Sequence, residues 1–268
     1  MKLYRDSPQA STTMAHDSEL INKLEEAIRQ HHIDVAVETG TFEGTGSTRI
    51  VAQCFCRVGP PKVYVTFEVG LESWMTAYRN LSEFPFVDCR WGCSVEREKA
   101  LAFVMQDEML ANHKNYPDIY IDDIDDPVAF YSRELRGVLG RRSIASELSS
   151  ATTTALRKLR VLPSRDTLEK ITESDVRKFF WSGEGLLPKY LKLHHHNRPL
   201  IILDSSGGCG WYEFQIMMEV MKDVSFLLLL DDVHHIKHYR SLVHVKSDPR
   251  FHLLGHSSHH GWALAIHS

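Results

Sequence analysis

The sequence predicts an α/β fold: a seven-stranded, mostly parallel sheet with helices on both faces and a helical insertion. Three observations predict it. Short β-branched or apolar runs alternate with amphipathic stretches of helical period near both ends of the chain, the mark of parallel strands joined by covering helices. The runs are apolar almost throughout rather than at every second residue, as strands buried on both faces require. Between them, over residues 95–183, the alternation is lost along a length that must carry helices of its own.

Taken in order, residues 17–30 place Leu20, Ile21, Leu24, Ala27 and Ile28 at helical spacing, behind Asp17 or Ser18 as a cap. Residues 34–40 form a strand that ends in Gly40, and residues 46–55 a helix opened by Ser47 and Thr48. Strand two spans residues 62–69 behind the breaker Pro60-Pro61. A helix follows over 71–81 and a third strand over 86–91. Residues 97–113, 143–162 and 167–181 read as helices of the insertion, with the acidic loop Asp122 to Asp126 between the first two. Strand four covers 199–203 and ends at Asp204, followed by a helix over 211–221. Strand five, 224–230, is the most apolar of the chain and ends at Asp231-Asp232. Residues 251–255 and 262–266 close the sheet. This is a Rossmann-like order, with residues 1–33 as an N-terminal arm and helix and residues 34–268 as one domain.

Composition narrows the function classes. The 268 residues are 43% hydrophobic and 25% charged, with a formal net charge of −4. That leaves no broad basic surface for nucleic acid. No apolar run reaches the eighteen residues of a membrane span, and the polar first seventeen residues lack the apolar core of a secretory signal. Five cysteines without paired spacing fit a reducing compartment, so a cytoplasmic protein is expected. The expected partner is a small-molecule substrate, and amphipathic stretches in the insertion would suit a homodimer.

In an open parallel sheet, ligands bind beyond the carboxyl ends of the strands. After strand one stands Glu38-Thr39-Gly40-Thr41-Phe42-Glu43-Gly44-Thr45-Gly46-Ser47, where glycines allow close backbone approach and a helix start offers free N–H groups. After strand two stands Glu68, placed to accept hydrogen bonds from both hydroxyls of a ribose. After strand three come Gly92, Cys93 and Ser94, small enough to flank an adenine. A dinucleotide site would prefer Gly-x-Gly-x-x-Gly, which this glycine spacing does not match.

The run Glu38-x-Gly40-Thr41-x-x-Gly44-x-x-Ser47 resembles the first motif of class I S-adenosylmethionine-dependent methyltransferases, in the variant of the catechol and caffeoyl-CoA O-methyltransferases. The resemblance covers about two thirds of the chain and leaves out most of residues 95–183. It implies S-adenosyl-L-methionine as cofactor, held by Glu38, Gly40, Thr41, Gly44, Ser47, Glu68 and Ser94. Thr45-Gly46 departs from it, since the family usually has an aromatic residue before its serine.

Strands four and five are neighbours in such a sheet, so Asp204, Asp231 and Asp232 converge at one edge. Unpaired, they would raise one another's pKa, and a hard divalent cation such as Mg²⁺ is the simple remedy. The metal-dependent O-methyltransferases place an Asp after strand four and an acidic pair after strand five, so the resemblance implies a metal triad here. The plainer alternative is one cofactor or helix contact and two turn acids. Histidines crowd the same edge, at His234, His235, His238, His256, His259 and His260. His235 and Lys237 are the preferred general bases, and Trp211 is the tryptophan best placed to line a pocket. Three rival readings stay open: a metal-independent N- or O-methyltransferase with a histidine base, a nicotinamide-dependent oxidoreductase, and a non-catalytic nucleoside-binding module.

Overall fold

The computed structural model describes Met14 and residues 17–137, 185–206 and 208–268. The arm before Asp17 apart from Met14, the expected helices over 143–162 and 167–181, and Trp181 lie outside the described residues.

The elements run α1 (Ser18–Gln30), β1 (Val35–Thr39), α2 (Ser47–Val58), β2 (Val63–Glu68), α3 (Leu71–Asn80), β3 (Val87–Trp91), α4 (Arg97–Gln106), α5 (Glu108–Ala111), α6 (Pro127–Gly137), α7 (Leu186–His194), β4 (Leu200–Leu203), α8 (Gly210–Met221), β5 (Phe226–Leu230), α9 (Tyr239–Ser247), β6 (Phe251–Ser257) and β7 (Trp262–His267). The sheet has the order β3-β2-β1-β4-β5-β7-β6. Pairs β1–β2, β2–β3, β1–β4 and β4–β5 are parallel, and β7 runs antiparallel to both β5 and β6. The expected seven-stranded, mostly parallel Rossmann-like sheet is therefore the fold. Its order reverses between β1 and β4, which puts the ligand crevice at the carboxyl ends of those two strands.

The core is two apolar layers, one on each face of the sheet, because successive strand residues point to opposite sides. Ala36, Tyr64, Ile202 and Leu229 face α1, α2 and α3, where they meet Leu24, Phe55 and Ala77. Val37, Val65, Ile201 and Leu228 face α7, α8 and α9, where they meet Leu191, Met217 and Leu242. In β1, β2, β4, β5 and β7 most residues are thus buried, which is why those runs are apolar without alternation, while β3 and β6 at the sheet edges are only partly covered.

One helical reading needs correction, and three further helices are not legible in the sequence. Residues 97–113 form two helices rather than one. Asp107 has extended backbone (φ −71, ψ 108), accepts a hydrogen bond from Met109 N–H, and receives the Arg240 guanidinium. A side chain that caps its own backbone and binds a partner outside the helix competes with helix continuation. The three are α6, α7 and α9; in α6 and α7 the periodicity is masked by Arg and Lys at solvent-facing positions, and in α9 by Arg240 and His244, which pair with Asp107 and Asp248.

The excursion after β3 begins and ends in contact. Leu186 and Leu187 N–H donate to the carbonyls of Cys93 and Ser94, and a Cβ on Gly185 would fall 2.5 Å from the Ser94 carbonyl oxygen. Its described first part is packed onto the sheet domain. Val104, Leu110, Ile121 and Tyr131 enclose Ile236, and Val95 and Ala100 meet Cys209.

Candidate active site

The end of β1 carries a buried polar residue on each face of the sheet. Glu38 points toward α2, where it receives Ser47 Oγ (2.8 Å) and Tyr64 OH (2.8 Å). Ser47 Oγ also lies 2.7 Å from Asp204 Oδ2. A hydroxyl has one proton, so it can donate to only one of these two carboxyl groups and must accept from the other. Burial pushes the Glu38 carboxyl up to about 7. The expected capping role of Ser47 is therefore taken elsewhere: Gly46 precedes the helix with no side-chain cap.

Thr39 points to the other face, toward Glu213 of α8. The Glu213 carboxylate is fully buried and accepts from Thr39 Oγ1 (3.0 Å), Ser205 Oγ (2.6 Å) and Ser94 Oγ. Burial raises its pKa above the ordinary glutamate value, against the lowering effect of those three hydroxyls. One side chain thus ties the ends of β1, β3 and β4 together. The sequence reading did not single it out. Its only signal was an acid in the first turn of an otherwise apolar helix, and that is ordinary helix chemistry.

The turn after β1 is set by Gly40 (φ +83), where a Cβ would stand 2.1 Å from the Asp204 carbonyl oxygen. Thr41 packs inward, its hydroxyl 2.6 Å from that of Thr66. Gly44 lies off the cavity wall; its missing Cβ makes room for the Leu81 side chain, 2.8 Å away. Thr45 and Gly46 take its place in the wall. Glu68 accepts Phe42 N–H (2.7 Å) and Gly70 N–H (2.6 Å) on separate oxygens, and burial raises its pKa.

A cavity of about 820 Å³ opens along this edge. It is lined by Gly40, Glu68, Gly92 and Ser94, by Asp204, Asp231, Asp232 and Lys237, and by Asp122 and Glu134 from the excursion. Asp204, Asp231 and Asp232 do converge, with ligand atoms within 4.8 Å of one another. Their counter-charge is internal: Lys237 Nζ stands 2.8 Å from Asp204 Oδ1 and 2.9 Å from Asp232 Oδ2. Burial and the neighbouring Asp204 and Asp232 carboxylates raise the Asp231 carboxyl well above its ordinary value. Burial also acts to raise Asp232, but Lys237 outweighs it and holds that carboxyl low. The carboxylate set alone would suit a hard cation. With an ammonium in contact with two of the three, the residues as placed do not fit one.

Neither expected base is open to take up a proton. Burial acts to lower the Lys237 pKa, but the surrounding carboxylates raise it well above its ordinary value, so the group is an ammonium at neutral pH. His235 Nδ1 accepts Lys237 N–H (3.2 Å), which assigns the proton of the neutral ring to Nε2, 3.1 Å from Asp122 Oδ2. Tyr131 OH donates to the same Asp122 oxygen at 2.9 Å. His235 and Tyr131 thus orient Asp122, which lines the cavity with a side chain 38% exposed. Burial alone would raise the Asp122 carboxyl, yet hydrogen bonding from His235 and Tyr131 leaves it below its ordinary value. In the sequence Asp122 stands out only as the first residue of the acidic loop Asp122 to Asp126. It reaches the site because the Tyr120 backbone pairs with the segment around His235, exchanging hydrogen bonds with His234 and Ile236.

Trp211 is not a wall residue. It stacks on Phe214 and lies under the Arg240 guanidinium, while Trp262 is fully buried in the core. His194, His195 and His196 precede β4, at the amino end of that strand.

The sequence matches no family model and no curated protein. Among solved structures it is similar to an O-methyltransferase from Bacillus cereus in complex with SAH, at 12% identity over 95% of this chain and 84% of that one, with a TM-score of 0.43. It is also similar to cofactor-bound Rv0187 from MTB, at 12% identity over 99% and 91% of the two chains, with a TM-score of 0.42.

Proposed function

We propose that the chain is an S-adenosylmethionine-dependent methyltransferase acting on a small molecule, with the hydroxyl of an acceptor as the atom methylated. The observation that carries this reading is the continuity of one cavity from Glu68 to Lys237, across the point where the strand order reverses. Its volume lies within the range of small-molecule sites.

The cofactor end fits a nucleoside. Glu68 is a half-buried carboxylate whose two oxygens each accept one backbone N–H. Each keeps a second lone pair, enough for two ribose hydroxyls. Gly92 and Ser94 leave the adjoining wall free of bulk. S-adenosylmethionine supplies, when bound, a methyl group on a positively charged sulfur. The acidic walls favour positive charge at the centre of the cavity, and the chain's main task is to orient the acceptor and exclude water. Lys237 donates to an oxygen of the acceptor, while Asp122 takes up or relays the proton lost from it. The divalent-metal assistance expected from the sequence forms no part of this mechanism, because Lys237 already holds two of the three carboxylates.

The test is calorimetric titration of S-adenosylhomocysteine into the protein and into Glu68→Ala. Low-micromolar binding is expected, weakened about tenfold or more by the substitution, roughly 1.4 kcal/mol. Absence of binding would overturn the reading and bring a nicotinamide cofactor forward as the next ligand to titrate.

A further inference from the structure

Three carboxylates brought within 4.8 Å of one another need a positive charge among them. Several features show that Lys237 is built into that position. Its side chain is 6% exposed, and its ammonium touches carboxylates from two different strand ends. Its backbone is pinned where Lys237 N–H donates to His235 Nδ1. The first residue of α8 is Gly210, where a Cβ would stand 2.7 Å from the Lys237 carbonyl oxygen and 2.8 Å from its Cγ. Any larger residue there would push the lysine out of the cluster.

We propose that Lys237 is a tethered counter-cation, which takes the place between Asp204, Asp231 and Asp232 that a divalent metal would otherwise fill. The ammonium has three N–H donors. Two serve Asp204 and Asp232, and the third serves an oxygen of the acceptor. This last step rests on the methyltransferase reading; the occupancy of the triad does not. A divalent ion can enter only by displacing a buried ammonium from its two ion pairs. Removing the lysine side chain, in contrast, leaves a vacant set of hard oxygen donors.

The experiment is titration of MnCl2, followed calorimetrically, into the wild type, Asp204→Asn, Lys237→Met and the double variant Lys237→Met/Asp204→Asn. The wild type is expected to show no saturable site. Lys237→Met is expected to gain one Mn²⁺ per chain, at least about tenfold tighter than any wild-type binding. That site is lost in the double variant. Mn²⁺ is also expected to raise the thermal midpoint of Lys237→Met and leave the wild type unmoved. One Mn²⁺ bound by the wild type and abolished by Asp204→Asn would overturn the proposal. Equal affinity in the wild type and Lys237→Met would do the same. If Lys237→Met fails to fold without added metal, the wild type and Asp204→Asn still decide between these outcomes. Titration of S-adenosylhomocysteine into the same samples separates the two questions, because its failure would remove the cofactor and leave the manganese result standing.

Discussion

Glu38 shows how burial converts an ordinary carboxyl into a group that titrates near neutrality. It is fully buried on the β1 edge, and burial pushes it up to about 7 from 4.5, with Asp204 adding to the effect and Tyr64 and Ser47 opposing it. A raised carboxyl stabilises the fold in its protonated form. Its contribution is complete below pH 4.5 and is lost as pH rises through about 7. A shift of this size corresponds to about 3 kcal/mol. Unfolding by denaturant at stepped pH is therefore expected to show wild-type stability falling between pH 4.5 and 7 relative to Glu38→Gln. Parallel curves for the two proteins would mean that the Glu38 carboxyl is not raised in the folded protein. The positions of Glu38, Glu68 and Asp204 at strand ends were readable in the sequence, because each directly follows or ends a strand. The partners that set their charge were not, since Tyr64, Ser47 and Lys237 reach them across separations of 9 to 33 residues.

At the scale of elements, α1 shows how a local signal acquires a distant role. Asp17 accepts Glu19 N–H (2.9 Å) and Leu20 N–H (3.3 Å), which satisfies two of the unpaired donors at the helix start. The cap is legible in the sequence. Its other oxygen accepts Trp262 Nε1–H at 2.6 Å, which ties the first helix to the last strand across 245 residues. Asp17→Ala removes the cap and leaves a buried indole N–H without a partner. It is expected to cost about 2–3 kcal/mol in chemical denaturation, whereas Asp17→Asn keeps one acceptor oxygen for the helix cap, turns its amide nitrogen to the indole N–H and is expected to cost about 1–2. Equal losses for the two substitutions would show that the cap contributes nothing and that the charge or the bond to Trp262 stabilises this corner. The strands were legible for the same local reason as the cap: a strand buried on both faces must be apolar along its length. Helix α9 was not, because Arg240 and His244 are committed to Asp107 and Asp248. The Arg240 pairing is tertiary, and in the sequence both residues look like solvated charge.

At the scale of the whole molecule, Glu213 joins three strand ends that are far apart in sequence. Replacing it with leucine relieves the burial of a carboxylate but leaves the hydroxyls of Thr39, Ser94 and Ser205 without their acceptor. Each orphaned hydroxyl costs about 1–3 kcal/mol, so the losses outweigh the relief. Glu213→Leu is expected to lower the unfolding free energy by about 2–3 kcal/mol, and Glu213→Gln, which keeps an acceptor, by less. A leucine variant as stable as the wild type would show that water replaces the carboxylate at this junction.

The sequence by itself determined the sheet, its strand ends and the edge along which the cavity opens. Those depend on local burial periodicity and on glycine and acid positions just past each strand. Only the tertiary structure decided what the acids do there. Whether three aspartates face a metal or an ammonium, and whether His235 is a base or a prop for Asp122, depends on which cation and which carbonyl the chain folds beside them. Electrostatic energy falls off over a few ångströms, and nothing in residue order reports distances of that size.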